Sequence, residues 1–191
     1  TRFPGTLYIG DEMTRISEIA EIDIDEEVDG GPVVSLMFRQ TISGPSGVAV
    51  IEERRFLYFG TDHRLDTSTP PVPDGHVWER VIEPDPVTLF RFSAIRFNSH
   101  RIHYDRAYAV ETEGHPGLIV QGTLINHLLV EMARDGGQGA PLSQVDFRIH
   151  KPIYDTGPFT LRGTLTDTGA ALWALDADGV LSMTGDAVYG S

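Results

Sequence analysis

Apolar residues alternate with polar ones through the first third of the chain, and a helical period appears much later. Leu7, Ile9, Met13, Ile16 and Ile19 stand among polar residues, and Ile22 and Ile24 alternate with acids at period two. An acidic turn, Asp25 to Gly31, leads into VVSLMFRQTIS. Gly44-Pro45-Ser46-Gly47 supplies a turn, and VAVIEERRFLYF follows. This pattern predicts a meander of about four antiparallel strands over residues 6–59. No helical period occurs before residue 60, so the apolar face of this sheet has no helix of its own to cover it.

The second half reads differently. Trp78, Val81 and Ile82 suggest a strand that Pro84-Asp85-Pro86 breaks. Asp85 is placed to cap VTLFRFSAI as a short helix, with a loop at Arg96–Arg101. Asp105 can cap a second short helix, RAYAVET, stopping before Gly114. Leu124, Ile125, Leu128, Leu129, Met132 and Ala133 then recur at spacings of one, three and four. They predict a long helix over 123–134, started by Gly122 or Thr123 and ended by Gly136-Gly137. Three strand-like runs follow: VDFRIHKPIY, FTLRGTLTD and AALWALDADGVLSMTGDAVYG. An antiparallel sheet of three to five strands around one long helix is an α+β plan, that of a hotdog fold. Residues 1–60 look like a similar sheet lacking its helix, a degenerate first half. Residues 61–76, rich in Pro, Ser, Thr and Asp, are expected to be an extended, exposed linker, and 77–191 the complete hotdog.

Composition narrows the function. The chain has 191 residues, no cysteine and a formal net charge of −13. Disulfides and thiolate metal sites are excluded, and nucleic acid or an anionic membrane is disfavoured as a partner. No apolar run is long enough to span a bilayer and no signal peptide is evident, so a cytoplasmic setting is expected. The first residue is Thr1, which suggests a processed or truncated piece.

The chemistry gathers between Leu89 and Arg134. Asn98, His100, His103 and Asp105 fall within eight positions. His103 is the strongest acid/base candidate, because an imidazole titrates near neutrality. Asn98 can hold a water or a substrate oxygen but cannot accept a proton. Gly122 would offer free amide N–H groups at a helix start, where negative charge on an oxygen is stabilised. His100, His103 and Asp105 could instead bind a metal. Arg91, Arg96, Arg101 and Arg106 are either a solvated face or a local site for phosphates such as those of coenzyme A.

FSAIRFNSHRIHYDRAYA followed by GHPGLIVQGTL resembles the MaoC-like hotdog dehydratases and hydratases. The similarity is to their two-hotdog branch of type 2 hydroxyacyl-thioester dehydratases and mesaconyl-CoA hydratase-like proteins. It covers 77–191 well and 6–60 more weakly. It implies water addition to, or removal from, an α,β-enoyl or β-hydroxyacyl thioester, with His103 and Asn98 as the catalytic pair. Gly122, Gln121, Gly117, His100 and Arg101 would form the substrate-binding set. No metal or redox cofactor is implied, since coenzyme A enters as part of the substrate; an acyl-carrier thioester is the other substrate form. The (R)-specific hydratase motif has Asp where this chain has Asn98 and Asn where it has His100. Many relatives have His in place of Gln121. These departures leave His103 to move the proton and Asn98 to orient water. Relatives also carry a first-hotdog helix not found here, so a homo-oligomer or completion by another hotdog chain is expected. Thioesterase chemistry and non-catalytic acyl-CoA binding are the alternatives.

Overall fold

The computed structural model describes residues 1–26, 31–60 and 68–190. It divides into two compact units, Thr1–Asp66 and Thr67–Ser191. The centre of the acidic turn (27–30), His63 and linker residues 61–67 lie outside the described residues.

The first unit is an antiparallel meander, β1 (Thr14–Asp25), β2 (Val33–Gly44) and β3 (Gly47–Tyr58), in the order β1-β2-β3. Three strands form where about four were expected. Pro4, Gly5 and Gly10 interrupt the early run; Gly10 has φ of 100°, and the Tyr8 and Asp11 backbones join in a turn. Register explains the spacing of the isoleucines. A bulge between Ile19 and Glu21 leaves Ala20 unpaired. Ile19, Ile22 and Ile24 therefore share one face, opposite Phe38, Leu36 and Val34, with Phe56 and Tyr58 next across β3. The other face is charged: Arg39 bridges Glu18 and Glu53, and Arg55 pairs with Glu21. As expected, the described residues of this unit include no helix. Ile22 keeps 60% of its surface exposed on the apolar face.

The second unit holds a five-stranded antiparallel sheet in the order β4-β6-β7-β8-β5. Its strands are β4 (Trp78–Ile82), β5 (Leu142–Ile149), β6 (Phe159–Leu165), β7 (Gly169–Leu175) and β8 (Leu181–Tyr189). Between β4 and β5 come α1 (Pro86–Ile95), a 3₁₀ turn (Arg101–His103), a π turn (Tyr108–Thr112) and α2 (Gly122–Gly136). Asp85 caps α1 as anticipated, accepting from the Val87 and Thr88 amides at 3.0 and 3.1 Å. Asp105 accepts from the Tyr108 amide at 3.1 Å, but the segment behind it winds as a π turn.

Helix α2 buries Ile125, Leu129, Met132 and Ala133 against the sheet, one stripe at helical spacing. Its N-cap is Gln121 rather than Gly122 or Thr123. The opposing sheet face carries Leu161, Leu172, Ala174, Met183 and Ala187, all essentially buried. Glycines let the layers close: Gly163 and Gly136 both lie against the Trp78 indole, and the Gly185 Cα lies against the Phe147 ring. The far face of the sheet carries Trp173, Leu175 and Leu181. Of the linker, expected to be extended and exposed, the described residues 68–76 are mostly exposed, and Val72 is half-buried, packed on this cluster.

A methyl added at Gly136 would overlap the Trp78 ring, which is itself fixed between α2 and β6. Gly136→Ala is expected to destabilise the protein by about 1–3 kcal/mol through overpacking, against the small gain in helix propensity. Urea unfolding of the variant, with an earlier midpoint and an unchanged slope, checks this.

Candidate active site

The residues between α1 and α2 are joined in a closed circuit of hydrogen bonds. Helix α1 ends at Ile95. Phe97 takes a left-handed φ of 51°, which reverses the chain. The Asn98 amide then donates to the Ser93 carbonyl at 2.9 Å. Asn98 Oδ1 accepts from the His100 amide at 3.1 Å, which leaves the Nδ2 hydrogens as the free end of that side chain. The His103 amide donates to the His100 carbonyl at 3.3 Å within the 3₁₀ turn. His103 Nδ1 contacts the Ile119 carbonyl at 2.8 Å. Two residues later Gln121 closes the circuit, with Nε2 donating to Ser93 Oγ at 2.9 Å and to the Leu89 carbonyl at 2.8 Å.

This geometry assigns the state of His103. A carbonyl can only accept, so the Nδ1 partner fixes the proton on Nδ1 and leaves a lone pair on Nε2. The ring is 9% exposed. Burial is the main cause that holds its pKa below the ordinary histidine value; the Ile119 carbonyl works against this, and the charge of His100, whose ring lies 5.5 Å away, adds to the lowering. His103 is therefore neutral at neutral pH and can act as a base.

Gln121 and Gly122 set the other side. The Leu124 and Ile125 amides both donate to the Gln121 carbonyl, so the α2 ladder starts there. The Gly122 and Thr123 amides stand outside it, at the positive end of the helix. A Cβ on Gly122 would come within 2.7 Å of Ile149 Cδ1, so this glycine lets the helix start sit close on β5. Gln121 is 2% exposed and its Oε1 has no protein partner. It links α1 to α2.

The remaining expected residues divide. His100 is exposed and contributes its backbone to the circuit. Arg101 is committed elsewhere, bonded to Asp105 at 2.8 Å and stacked 4.0 Å over the Tyr108 ring. That bond holds the Asp105 carboxyl below the ordinary aspartate range. Gly117 is buried against Asp155 and Thr156. Arg106 also pairs with Asp155, so two of the four arginines are occupied by carboxylates rather than gathered for a phosphate. Among the described residues, no three His, Asp or Glu side chains gather to hold a metal. Ser93, the Ile119 carbonyl and Asp155 are members of the network that sequence reasoning missed. Their partners lie 16 to 49 positions away, and no local pattern marks them.

A family model described as hydroxyacyl-thioester dehydratase type 2 matches residues 2–155. The mesaconyl-C(4)-CoA hydratase of Chloroflexus aurantiacus is 35% identical over 187 residues, covering 96% of this chain and 65% of that protein. The mitochondrial hydroxyacyl-thioester dehydratase type 2 of Schizosaccharomyces pombe is 33% identical over 100 residues, covering 51% of this chain and 32% of that protein. The chain thus spans less than two thirds of the length of either relative. A MaoC-like dehydratase structure from Phytophthora capsici matches all of the chain and 69% of its own length, with a TM-score of 0.73 at 13% identity. The fold is a hotdog. Among the described residues, no helix is long and apolar enough to cross a membrane.

Gln121→Glu tests the circuit. A carboxylate cannot donate to the Leu89 carbonyl, so the buried Glu must be protonated and its folded pKa is raised above the unfolded value of about 4.3. The variant is expected to be less stable than the parent at neutral pH. The deficit should shrink as pH falls through the raised pKa toward that unfolded value. Thermal unfolding across pH measures it.

Proposed function

The chain belongs to the type 2 hydroxyacyl-thioester dehydratase family, and we propose that it adds water to, or removes it from, acyl thioesters through His103. The observation that carries this reading is the buried, neutral His103 with Nδ1 tied to a carbonyl and Nε2 presented as a base. In the hydration direction, His103 Nε2 takes a proton from water as the water oxygen bonds to Cβ of the enoyl thioester. The π electrons move to the thioester oxygen, and the Gly122 amide at the α2 start supports the enolate. His103 then returns its proton to Cα, which completes the β-hydroxyacyl thioester. Asn98 cannot relay a proton. Its free Nδ2 hydrogens suit it to hold the water oxygen in line. Dehydration runs these steps backwards. Gln121 and Gly117 serve this reading by holding the segment before α2 in place, and exposed His100 and Arg101 are its candidates for contact with the substrate's polar part. Coenzyme A and a carrier-protein phosphopantetheine present the same thioester, and assays with both forms separate them.

Loss of enoyl-thioester absorbance with formation of a hydroxyacyl product is the expected activity. Release of free thiol would mean a thioesterase, and binding without turnover a non-catalytic module. His103→Ala should cost about 10²–10⁴-fold in kcat with substrate binding largely retained; full activity would end this mechanism. Because the His103 pKa is held down, the rate of the parent should stay high as pH falls and drop only below the ordinary histidine range. Asn98→Asp puts a carboxylate on the same circuit and raises that pKa, so its acid limb should move to higher pH. Rate profiles of the parent and the two variants decide.

The exposed apolar face of the three-stranded sheet supports an oligomer or completion by a second hotdog chain. Light scattering after size exclusion should give more than one chain per particle unless the completing chain is missing. A well-behaved monomer that is fully active alone counts against this.

A further inference from the structure

Asp155 lies outside the proton path, yet its side chain is 1% exposed. It sits between β5 and β6 and faces the segment that leads into α2. Asp155 Oδ1 accepts from the Leu118 amide at 2.8 Å and from Arg106 Nη1 at 3.2 Å, and Oδ2 pairs with Arg106 Nη2. The Asp155 amide answers by donating to the Leu118 carbonyl at 2.9 Å. The Val120 amide donates to the Ile153 carbonyl at 2.8 Å, so Leu118–Val120 is laced to 153–155 on one side. On the other side the Ile119 amide donates to the Ile102 carbonyl at 3.0 Å, and the Ile119 carbonyl receives His103 Nδ1. Gly117 makes room for this clamp, since a Cβ there would stand 2.7 Å from Asp155 Oδ1.

We infer that Asp155, held by Arg106, is a positioning residue for His103: it fixes Leu118, and through the next peptide the Ile119 carbonyl that keeps the His103 proton on Nδ1. This rests on the reading of His103 as the base. Leu118 is 1% exposed. Without the carboxylate its amide would be buried and unpaired, so the segment must shift to find another acceptor. The shift is delivered to Ile119, and a histidine without its carbonyl partner samples both tautomers. The part of that population with the proton on Nε2 has no lone pair there and cannot serve as a base. The ionisable group acting on His103 from its own turn is His100, while Arg101 and Asp105 are paired with each other; the Leu118–Val120 side presents neutral backbone, and Asp155 is directed at Arg106 and Leu118.

Nitrogen NMR of histidine-labelled protein reads the tautomer directly. The parent should show His103 protonated on Nδ1, and folded Asp155→Ala and Gly117→Ala should both show a mixture of tautomers. Asp155→Asn keeps an acceptor for Leu118 and should restore most of the parent pattern. In hydration assays the first two variants should lose about 10–100-fold in kcat with KM little changed, as expected for a misplaced catalytic group. Their acid limb should move to lower pH, because the carbonyl bond that favours the imidazolium is weakened. A merely structural role would lower the amplitude without moving the tautomer or the limb. If Asp155→Ala fails to fold, Arg106→Ala replaces it, as that side chain is 51% exposed. Folded variants in which His103 keeps the parent tautomer overturn the inference. The NMR arm needs no turnover, so a parent that fails to hydrate enoyl thioesters refutes the activity and leaves the positioning role to be decided separately.

Discussion

The bond from His103 Nδ1 to the Ile119 carbonyl is the constraint on which the arrangement depends. It joins the turn after α1 to the segment before α2, two pieces of chain separated by sixteen positions. It fixes which nitrogen carries the proton and which keeps the lone pair. It also acts against the effect of burial, since a carbonyl partner favours the imidazolium while desolvation disfavours it. The ring stays neutral because burial wins. A more exposed ring with the same partner would be protonated over more of the neutral range and would then have no lone pair to accept a proton.

Much of the fold was legible in the periodicities, for physical reasons that can be named. The long helix was readable because its stripe, Ile125, Leu129, Met132 and Ala133, faces one sheet and must repeat at helical spacing. Asp85 announced α1 because an N-cap needs a short acceptor before a Pro-led turn. The isoleucines of β1 were misleading at the level of faces. Period two puts Ile19 opposite Ile22, and the bulge at Ala20 reunites them. A bulge has no reliable local signature, so the apolar end of this face, Ile19, Ile22 and Ile24 beside Phe38, Leu36 and Val34, becomes visible only with the register. The fourth expected strand failed because Gly10 and the Tyr8–Asp11 turn outweigh the alternation of Leu7 and Ile9. Val72 lies among prolines in a mostly exposed stretch, and its partial burial depends on the cluster of Trp173, Leu175 and Leu181, far along the chain.

The candidate site was legible where chemistry is local and illegible where it depends on distant partners. Asn98, His103 and Gly122 advertise themselves by residue type and by spacing. The parts that tie them together are a serine inside α1, a backbone carbonyl and a carboxylate after β5, and these look ordinary in sequence. Gln121 shows both sides. As a departure from the histidine of many relatives it was noticeable, but its role as a link between α1 and α2 required the Leu89 carbonyl and Ser93 Oγ to be seen beside it. The burial of Gly117 reads the same way: the glycine was visible, whereas the carboxylate that needs the space was not.

The charge balance of the chain makes the choice of groups coherent. In a protein with net charge −13, the enolate of the proposed reaction would meet an unfavourable overall field. A cation next to it would stabilise that intermediate, but an arginine beside His103 would further depress the imidazole pKa and weaken its pull on water. Arg101 and Arg106 are neutralised on Asp105 and Asp155 instead. In the proposed reaction the charge would be left to fixed dipoles, the amides at the start of α2, which stabilise an oxygen anion without titrating. A helix terminus supplies that field only at close range, so the glycine that lets α2 start tight on Ile149 also bears on where the amide points. On the proposed reading, neutral His103, the neutral amide of Asn98 and the helix start form one electrostatic solution: polarity supplied by orientation, with Arg101 and Arg106 paired to carboxylates.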